Sequence, residues 1–478
     1  VDSEVVVKDI PVESNGKKTS EEVVRENDEF VKQLGINKLS QESNVNDDIT
    51  QEIIDKRSGN AELPDTPIVK EEAVPMTANV TSKKHVSLKL GIVGSGQAGG
   101  RIAEVYSRYG YEVCAINTAQ QDLEFLNMPK ESKFLIKNEL GGTGKDLDVS
   151  AQYFEAEEDN IRQFIEDRVG ECDVLMLVAS GAGGSGSGSA ELLSTWMYEM
   201  GKPVIVTFVL PGSFDDTQGK HNAVVTLGKL SDMCSKGIVN SILLVDNLAI
   251  EAAYPDLSPS KFWDAANEAA VEPLHMFNKL SVTPTSYESF DDMDFAKSLL
   301  EANGFCVMGS NTVSKDWYED DETALMEAII EGLENGLLAR GFNLKEAQTV
   351  GVIVTARESV LESIPYSSIS YMFKYISDEF DSAKAFRGIY AVPGDSDDIQ
   401  IHFMFSGLGR PESRVESLKA ESEKHLKILK DKKANTKITT SSSNDGSDEV
   451  ARKIERIKKR KTGVGKLLNP KKPVRRRR

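Results

Sequence analysis

VLMLVASGAGGSGSGSAELLSTWMYEM, residues 174–200, is the stretch on which the fold turns. Six apolar residues, 174–179, run into nine built only of Gly, Ser and Ala, 180–188, and a stretch of helical length and composition follows, 189–200. A short apolar run closed by a Gly-rich turn reads as a buried strand, and the turn then opens a helix. Glycines at such a crossing let a phosphate approach the backbone closely, while the N–H groups at the helix start supply partial positive charge. A flexible Gly/Ser linker fits poorly, because this loop is pinned between strand and helix.

The same pattern occurs upstream. The apolar run 88–93 leads into Gly94-Ser-Gly96-Gln-Ala-Gly99-Gly100 and a helical stretch at 101–109, the context that a G-x-G-x-x-G loop demands. Alone, this loop admits a nicotinamide-dependent oxidoreductase. Such an enzyme wants an acid at the end of its second strand to hold a ribose hydroxyl, whereas 113–117 ends in Asn117. It also needs only one such loop, and two on neighbouring strands can grip one polyphosphate from both sides.

Further apolar runs at 112–117, 133–137, 173–179, 203–210 and 241–246 alternate with helix-length segments. They predict an α/β fold, a doubly wound, mostly parallel sheet covered on both faces. Residues 262–280 read as one long helix, with Pro273 marking a kink or a break. Beyond Asp291, helices at 295–302, 322–340 and 367–380 mix with strands at 304–308, 350–355, 388–392 and 399–405, suggesting a second, smaller α/β domain. A helix at 411–434 follows, with Val415, Leu418, Ser422, His425, Leu426 and Leu429 on one side.

Charge is divided unevenly along the 478 residues. Residues 451–478 carry 14 Lys and Arg against the single acid Glu455, a surplus of 13, so the rest of a chain of net charge -19 carries -32. An acidic body argues against general nucleic-acid or anionic-membrane binding outside that tail. Residues 1–86 are acidic and poor in large apolar groups, with one amphipathic helix expected over 19–34, and the Ser/Thr/Asn/Asp stretch 435–447 reads as a linker. Cys114, Cys172, Cys234 and Cys306 form no C-x-x-C pair, so neither a disulfide framework nor a zinc site is suggested. No signal pattern or long apolar span is found, and a soluble cytoplasmic protein is expected.

The ordered run of motifs over 88–410 resembles the tubulin and FtsZ superfamily of GTP-dependent filament proteins. Ala182-Gly-Gly-Ser-Gly-Ser-Gly188 resembles its signature loop, with Ser185 in place of Thr, and Gly96-Gln97-Ala98-Gly99 resembles its first phosphate loop. Ala115-Ile-Asn117-Thr118, Gly141-Gly-Thr-Gly144-Lys-Asp (the γ-phosphate loop), residues 211–215 (the ribose loop) and Val245-Asp-Asn247 (the guanine loop) follow in the family's order. The resemblance implies GTP or GDP with Mg2+ as cofactors and head-to-tail self-assembly, with no membrane. It implies backbone phosphate contacts from Gln97, Ala98, Thr143, Gly144, Gly183, Gly184, Ser185, Gly186 and Ser187, and counts Gly96, Gly142, Ala182 and Gly188 among the residues that bind the nucleotide. Asn117 and Asp215 join the site, and the base falls to Arg101, Asn247 and Asn267.

In this family an acidic loop of the next subunit positions the attacking water. The corresponding segment is Asp291-Asp292-Met-Asp294-Phe-Ala-Lys297, which makes Asp294, Asp292 and Asp291 the catalytic candidates. Lys297 stands where the family's last acid does, so either one of these carboxylates or the nearby Glu301 orients water, or hydrolysis is slow. Their plain structural role would be an acidic helix start. A non-hydrolysing nucleotide-binding relative is the alternative. Val245-Asp-Asn247-Leu, the long C-terminal helix and the basic end resemble the TubZ branch, which implies a DNA-bound adaptor or DNA as partner of the tail 451–478. The implied division is an extension 1–86, a GTP-binding domain 87–260, a central helix and linker 261–290, a second domain 291–410, a helix 411–434 and a tail 435–478.

Overall fold

A computed structural model describes residues 85–138, 141–335 and 341–435. The expected helix at 19–34, the linker and the basic tail lie outside the described residues.

In chain order the elements begin β1 (Leu90–Ser95), α1 (Gly96–Arg108), β2 (Glu112–Asn117), α2 (Gln120–Glu124), β3 (Lys133–Leu135), α3 (Leu147–Ala156), α4 (Glu158–Val169), β4 (Val174–Ser180), α5 (Ser185–Glu199), β5 (Val204–Leu210), α6 (Thr217–Ser235) and β6 (Ser241–Asp246). They continue α7 (Asn247–Ala253), α8 (Pro259–Leu280), α9 (Asp292–Leu300), β7 (Gly304–Val313), α10 (Lys315–Asp320), α11 (Ala324–Asn335), β8 (Thr349–Ala356), α12 (Glu358–Leu361), α13 (Tyr366–Glu379), β9 (Lys384–Ala391), β10 (Ile399–Leu408) and α14 (Glu412–Asn435).

All ten strands join one sheet in the order β3-β2-β1-β4-β5-β6-β7-β10-β8-β9. From β3 to β7 every pairing is parallel; β10 runs antiparallel to both β7 and β8, so the sheet is mixed. The later strands extend the first sheet through the short β6–β7 pairing, Ser241 to Leu243 beside Gly304 to Cys306. β1, β4 and β5 are buried along almost their whole length, as strands covered on both faces must be.

One face is covered by α1, α8 and α9, through residues such as Ile102, Val271, Phe277 and Phe295. The other is covered by α4, α5, α6, α11, α13 and the start of α14, where Leu193, Leu227, Ile329 and Val415 lie in one cluster with the strand residues Leu177 and Phe403. α8 runs unbroken through Pro273. On α14 Val415, Leu418 and Ser422 are buried, as the stripe predicts. The cysteines are buried and unpaired, and among the described residues no helix is long and apolar enough to cross a membrane.

The order 3-2-1-4-5-6 reverses direction between β1 and β4, which pair from Leu90 with Val174 to Ser95 with Ala179. Ligands of open α/β sheets bind beyond the carboxyl ends of the strands at such a switch point. Both Gly loops leave from there, side by side.

Candidate nucleotide site

α1 packs close enough to the sheet for only glycine to serve at one position: a Cβ on Gly99 would lie 2.2 Å from the Val178 carbonyl oxygen. Gly96 takes a φ of +75°, which favours glycine, and a Cβ there would meet the Gly186 amide nitrogen at 3.0 Å. The start of α1 is thereby held against the start of α5.

Neither start is capped by a side chain. Ser95, at the N-cap of α1, bonds the Ser189 hydroxyl at 2.7 Å instead of its own helix amides, and the N-cap of α5 is Gly184. Neither first turn carries an acid. The first amides of a helix have no partner within it, and together they favour an anion. Both starts open onto one cavity of about 520 Å³.

Of the sequence-predicted residues, Gly96, Gln97, Ala98 and Arg101 line this cavity from α1, and Gly142, Thr143 and Gly144 from the loop before α3. Ala182, Gly183, Gly184, Ser185 and Gly186 line it from the second Gly loop, and Asn117, Asp215, Asn247 and Asn267 complete the set. Ser187 and Gly188 are not among the lining residues. The Ser187 hydroxyl turns back to the Gly181 carbonyl at 2.5 Å, and a Cβ on Gly188 would strike Ser150 of α3, so both positions serve packing beneath the loop.

The loops are tied to one another by side chains. Thr118 and Ser185 share a hydroxyl bond of 2.7 Å, and the Asn222 amide of α6 donates to the carbonyl oxygens of Lys145 at 2.8 Å and Gly183 at 3.5 Å. Asn117 accepts from the amides of Thr118 and Ala119 and donates to Asp122 at 3.0 Å, so its side chain shapes the turn into α2. Asp215 accepts from the Gly212 amide at 2.9 Å and sets the bend of its own loop. Arg414 of α14 grips Asp246 with bonds of 2.6 and 3.0 Å and donates to the Pro211 carbonyl at 2.9 Å, fastening two cavity loops from behind.

Sequence reasoning missed Thr118, Asp122, Lys145, Trp263 and Arg414. Trp263 had a readable signal: it is an exposed aromatic four residues before Asn267 on α8, and both line the cavity. Lys145 pairs with Asp216 at 3.0 Å. Burial alone would raise the Asp216 carboxyl, but the Gly219 amide and the Lys145 ammonium outweigh it and hold the group below its ordinary value.

Asp291, Asp292 and Asp294 lie elsewhere. The cavity is at the carboxyl ends of the parallel strands, whereas α9 meets the opening residue of β6, the Ser241 hydroxyl donating to the Leu299 carbonyl. Asp291 caps α9 by accepting from the amides of Met293 at 2.8 Å and Asp294 at 3.0 Å, and Asp294 accepts from the Asp291 amide at 3.2 Å, a complete capping box. Lys297 occupies the last turn of the same helix.

Residues 83–254 match the Tubulin/FtsZ family, GTPase domain. Over 328 residues the chain is 26% identical to the tubulin-like protein CetZ of Pyrococcus horikoshii, covering 66% of this chain and 85% of that protein. A GTPγS-form protofilament structure of TubZ from Bacillus thuringiensis serovar israelensis superposes with a TM-score of 0.66 at 19% identity, over 74% of this chain and 96% of that one. A GTPγS-bound protofilament of CetZ2 from Haloferax volcanii gives 0.60 at 23% identity, over 72% and 100%. These structural likenesses carry the fold. Since CetZ and TubZ proteins both match, the TubZ branch is not singled out.

Proposed function

We propose that this chain is a member of the Tubulin/FtsZ family that binds GTP in the cavity between the two Gly loops, assembles head to tail, and hydrolyses GTP where one subunit meets the next. The observation that carries the reading is the pair of helix starts, α1 and α5, held together without side-chain caps and facing one cavity. The α-, β- and γ-phosphates take the amides of 96–98, 142–144 and 183–186. Trp263 offers a face for the base to stack on, and Asn247 and Asn267 offer carbonyl and amino groups that complement guanine's edge.

A Mg2+ ion here would be held by the nucleotide's phosphates with one or two carboxylates rather than by a protein cage. Among the described residues no group of three or more His, Cys, Asp or Glu forms such a cage, while Asp122 lines the cavity. When bound, the ion would neutralise charge on the phosphoryl group.

Hydrolysis at the subunit contact falls to the acidic turn of α9 from the neighbour. Its water-orienting candidates are Asp292 and Asp294, with Asp291 holding the turn. Because Asp291 and Asp294 already serve as caps and Lys297 replaces an acid, turnover is slow. The same facts favour a second reading, a filament former that binds GTP without hydrolysing it. Pelleting with GTP and with a slowly hydrolysed analogue, alongside phosphate release, tests both. Sedimentation with either nucleotide and slow release that stops in Asp294→Ala supports hydrolysis; sedimentation without release supports the second reading; no nucleotide-dependent sedimentation overturns both.

A role in positioning DNA rests on the 13 surplus positive charges of 451–478. DNA binding that weakens steeply with salt and disappears when the tail is deleted supports it, whereas binding unaffected by the deletion removes it.

A further inference from the structure

Both α1 and α8 line the cavity, α1 through Gln97, Ala98 and Arg101 and α8 through Trp263 and Asn267. Besides apolar packing between Ile102, Tyr106 and the α8 residues Val271 and Leu274, the two helices are joined by a polar clasp at the corner between α1 and β2. The Tyr109 hydroxyl donates to the carboxylate of Glu268, the residue after Asn267. Its ring stacks on His275 further along α8, the ring centroids 4.3 Å apart. Tyr111, just before β2, bonds His275 Nδ1 at 3.2 Å and the Asn278 amide at 3.1 Å.

The direction of each bond is determined. Asn278 accepts from the Leu88 amide at 2.7 Å and donates to the Leu88 carbonyl at 2.9 Å, so its amide fits one way only and its nitrogen faces Tyr111. The buried Tyr111 hydroxyl therefore accepts from Asn278 and gives its single proton to His275 Nδ1, which must itself be unprotonated. A proton on Nδ1 would face that hydroxyl, whose own proton would then have no acceptor within the clasp. Glu268, Glu272 and Lys279 are the charged groups around the ring on α8, and Arg108 precedes Tyr109 on α1. Burial and Lys279 outweigh Glu268 and hold His275 below its ordinary 6.5, while burial and Glu268 raise the Glu272 carboxyl.

We propose that Tyr109, Tyr111 and His275 are positioning residues for the nucleotide: the closed clasp sets α8, and with it Trp263 and Asn267, against α1, and uptake of a proton by His275 opens it and weakens binding. This rests on the reading of the cavity as a GTP site. A clasp that is proton-free when closed and protonated at His275 when open is favoured at neutral pH, and it loses ground as pH falls below 6.5, the ordinary value of a freed imidazole. Linkage is reciprocal, so a nucleotide that prefers the closed clasp makes His275 harder to protonate. Glu272 has the opposite sign. Its raised carboxyl costs stability at neutral pH, and the cost is relieved in acid.

The test is equilibrium binding of GTPγS, with magnesium, to the full chain and its variants between about pH 7.5 and about pH 5.5, with NMR titration of His275 in the presence and absence of GTPγS. Protonation of the nucleotide itself is common to every variant and cancels in the comparison. Over that range the unaltered chain should lose roughly 3- to 10-fold more affinity than His275→Asn, which keeps an acceptor near the Nδ1 position and never charges. GTPγS should lower the His275 midpoint by about half to one pH unit, the same coupling seen from the other site. Tyr109→Phe, which loses only the bond to Glu268, should bind roughly 3- to 10-fold more weakly at neutral pH. Glu272→Gln should keep the pH profile of the unaltered chain. Equal profiles for the unaltered chain and His275→Asn, or a His275 midpoint indifferent to GTPγS, would overturn the proposal while the site reading stood. No GTPγS binding at any pH would overturn the site reading and the proposal with it.

Discussion

The two ends of α8 look onto opposite solutions to the same problem. At the cavity end, α1 and α5 begin with no side chain on their first amides and no acid in the first turn. At the other end, α9 begins with a complete capping box, Asp291 and Asp294 each satisfying the other's backbone. An open helix start accepts an anion from outside without breaking anything; a self-capped one must give up its own bonds first. The difference teaches where a ligand settles and where a reacting group, if used, comes at the expense of a helix.

The comparison breaks most severely at Gly99. Gly99→Val drives a side chain into the Val178 carbonyl, separating α1 from the sheet, and should destabilise the chain by about 3 kcal/mol with loss of nucleotide binding in the same thermal-shift experiment. Next comes Arg414→Ala, which releases the cavity loops at Pro211 and Asp246 from α14 and leaves Asp246 with its helix amide alone. A loss of about 2 kcal/mol in stability is expected, with weakened nucleotide binding, while a loss of stability alone would show that α14 does not hold the loops.

At the opposite end the effect is smaller. Asp291→Ala removes the cap of α9 and should cost about 1 kcal/mol, read as a melting shift of a few degrees with nucleotide affinity unchanged. The smallest effect is on titration. Burial raises the Asp294 carboxyl, and the charge of Asp291 beside it adds to this against the opposing Asp291 amide and Lys297, so it protonates above its ordinary 3.8. Asp216 protonates below 3.8.

The signs for stability follow. A depressed carboxyl stabilises the fold above 3.8, and that contribution disappears as pH falls through the folded value; a raised one costs stability at neutral pH, and the cost is relieved as pH falls through its folded value. Carboxyl NMR titration should therefore show Asp294 and Asp216 on opposite sides of 3.8, with Lys145→Gln moving Asp216 upward. Coincident midpoints would erase the electrostatic half of the comparison.

Much of the cavity end was legible because its chemistry depends on backbone, and backbone demands are written as glycine. The strand-to-helix crossings at 94–100 and 180–188 could be read from residue type alone. The antiparallel β10 could not: a strand buried on both faces reads as a continuous apolar run, which carries no direction. Of the two readings of Pro273, a break is excluded, since a helix packed along its length tolerates the loss of one hydrogen bond. Ser187 and Gly188 share the loop's composition, but α5 has already begun there and points them inward. Lys145, Trp263 and Arg414 were missed because their roles come from tertiary neighbours on α6, α8 and the loops before α6 and α7. The acidic turn 291–294 supported catalysis and capping alike; the fold shows the capping.

The central claim is that two uncapped helix starts clasp one guanosine triphosphate. Its most direct test is a crystal structure with GTPγS. The account predicts phosphate oxygens within hydrogen-bond distance of amides from both 96–98 and 183–186, with the base against Trp263. Phosphates engaged by one loop only, or a nucleotide bound outside this cavity, would contradict it.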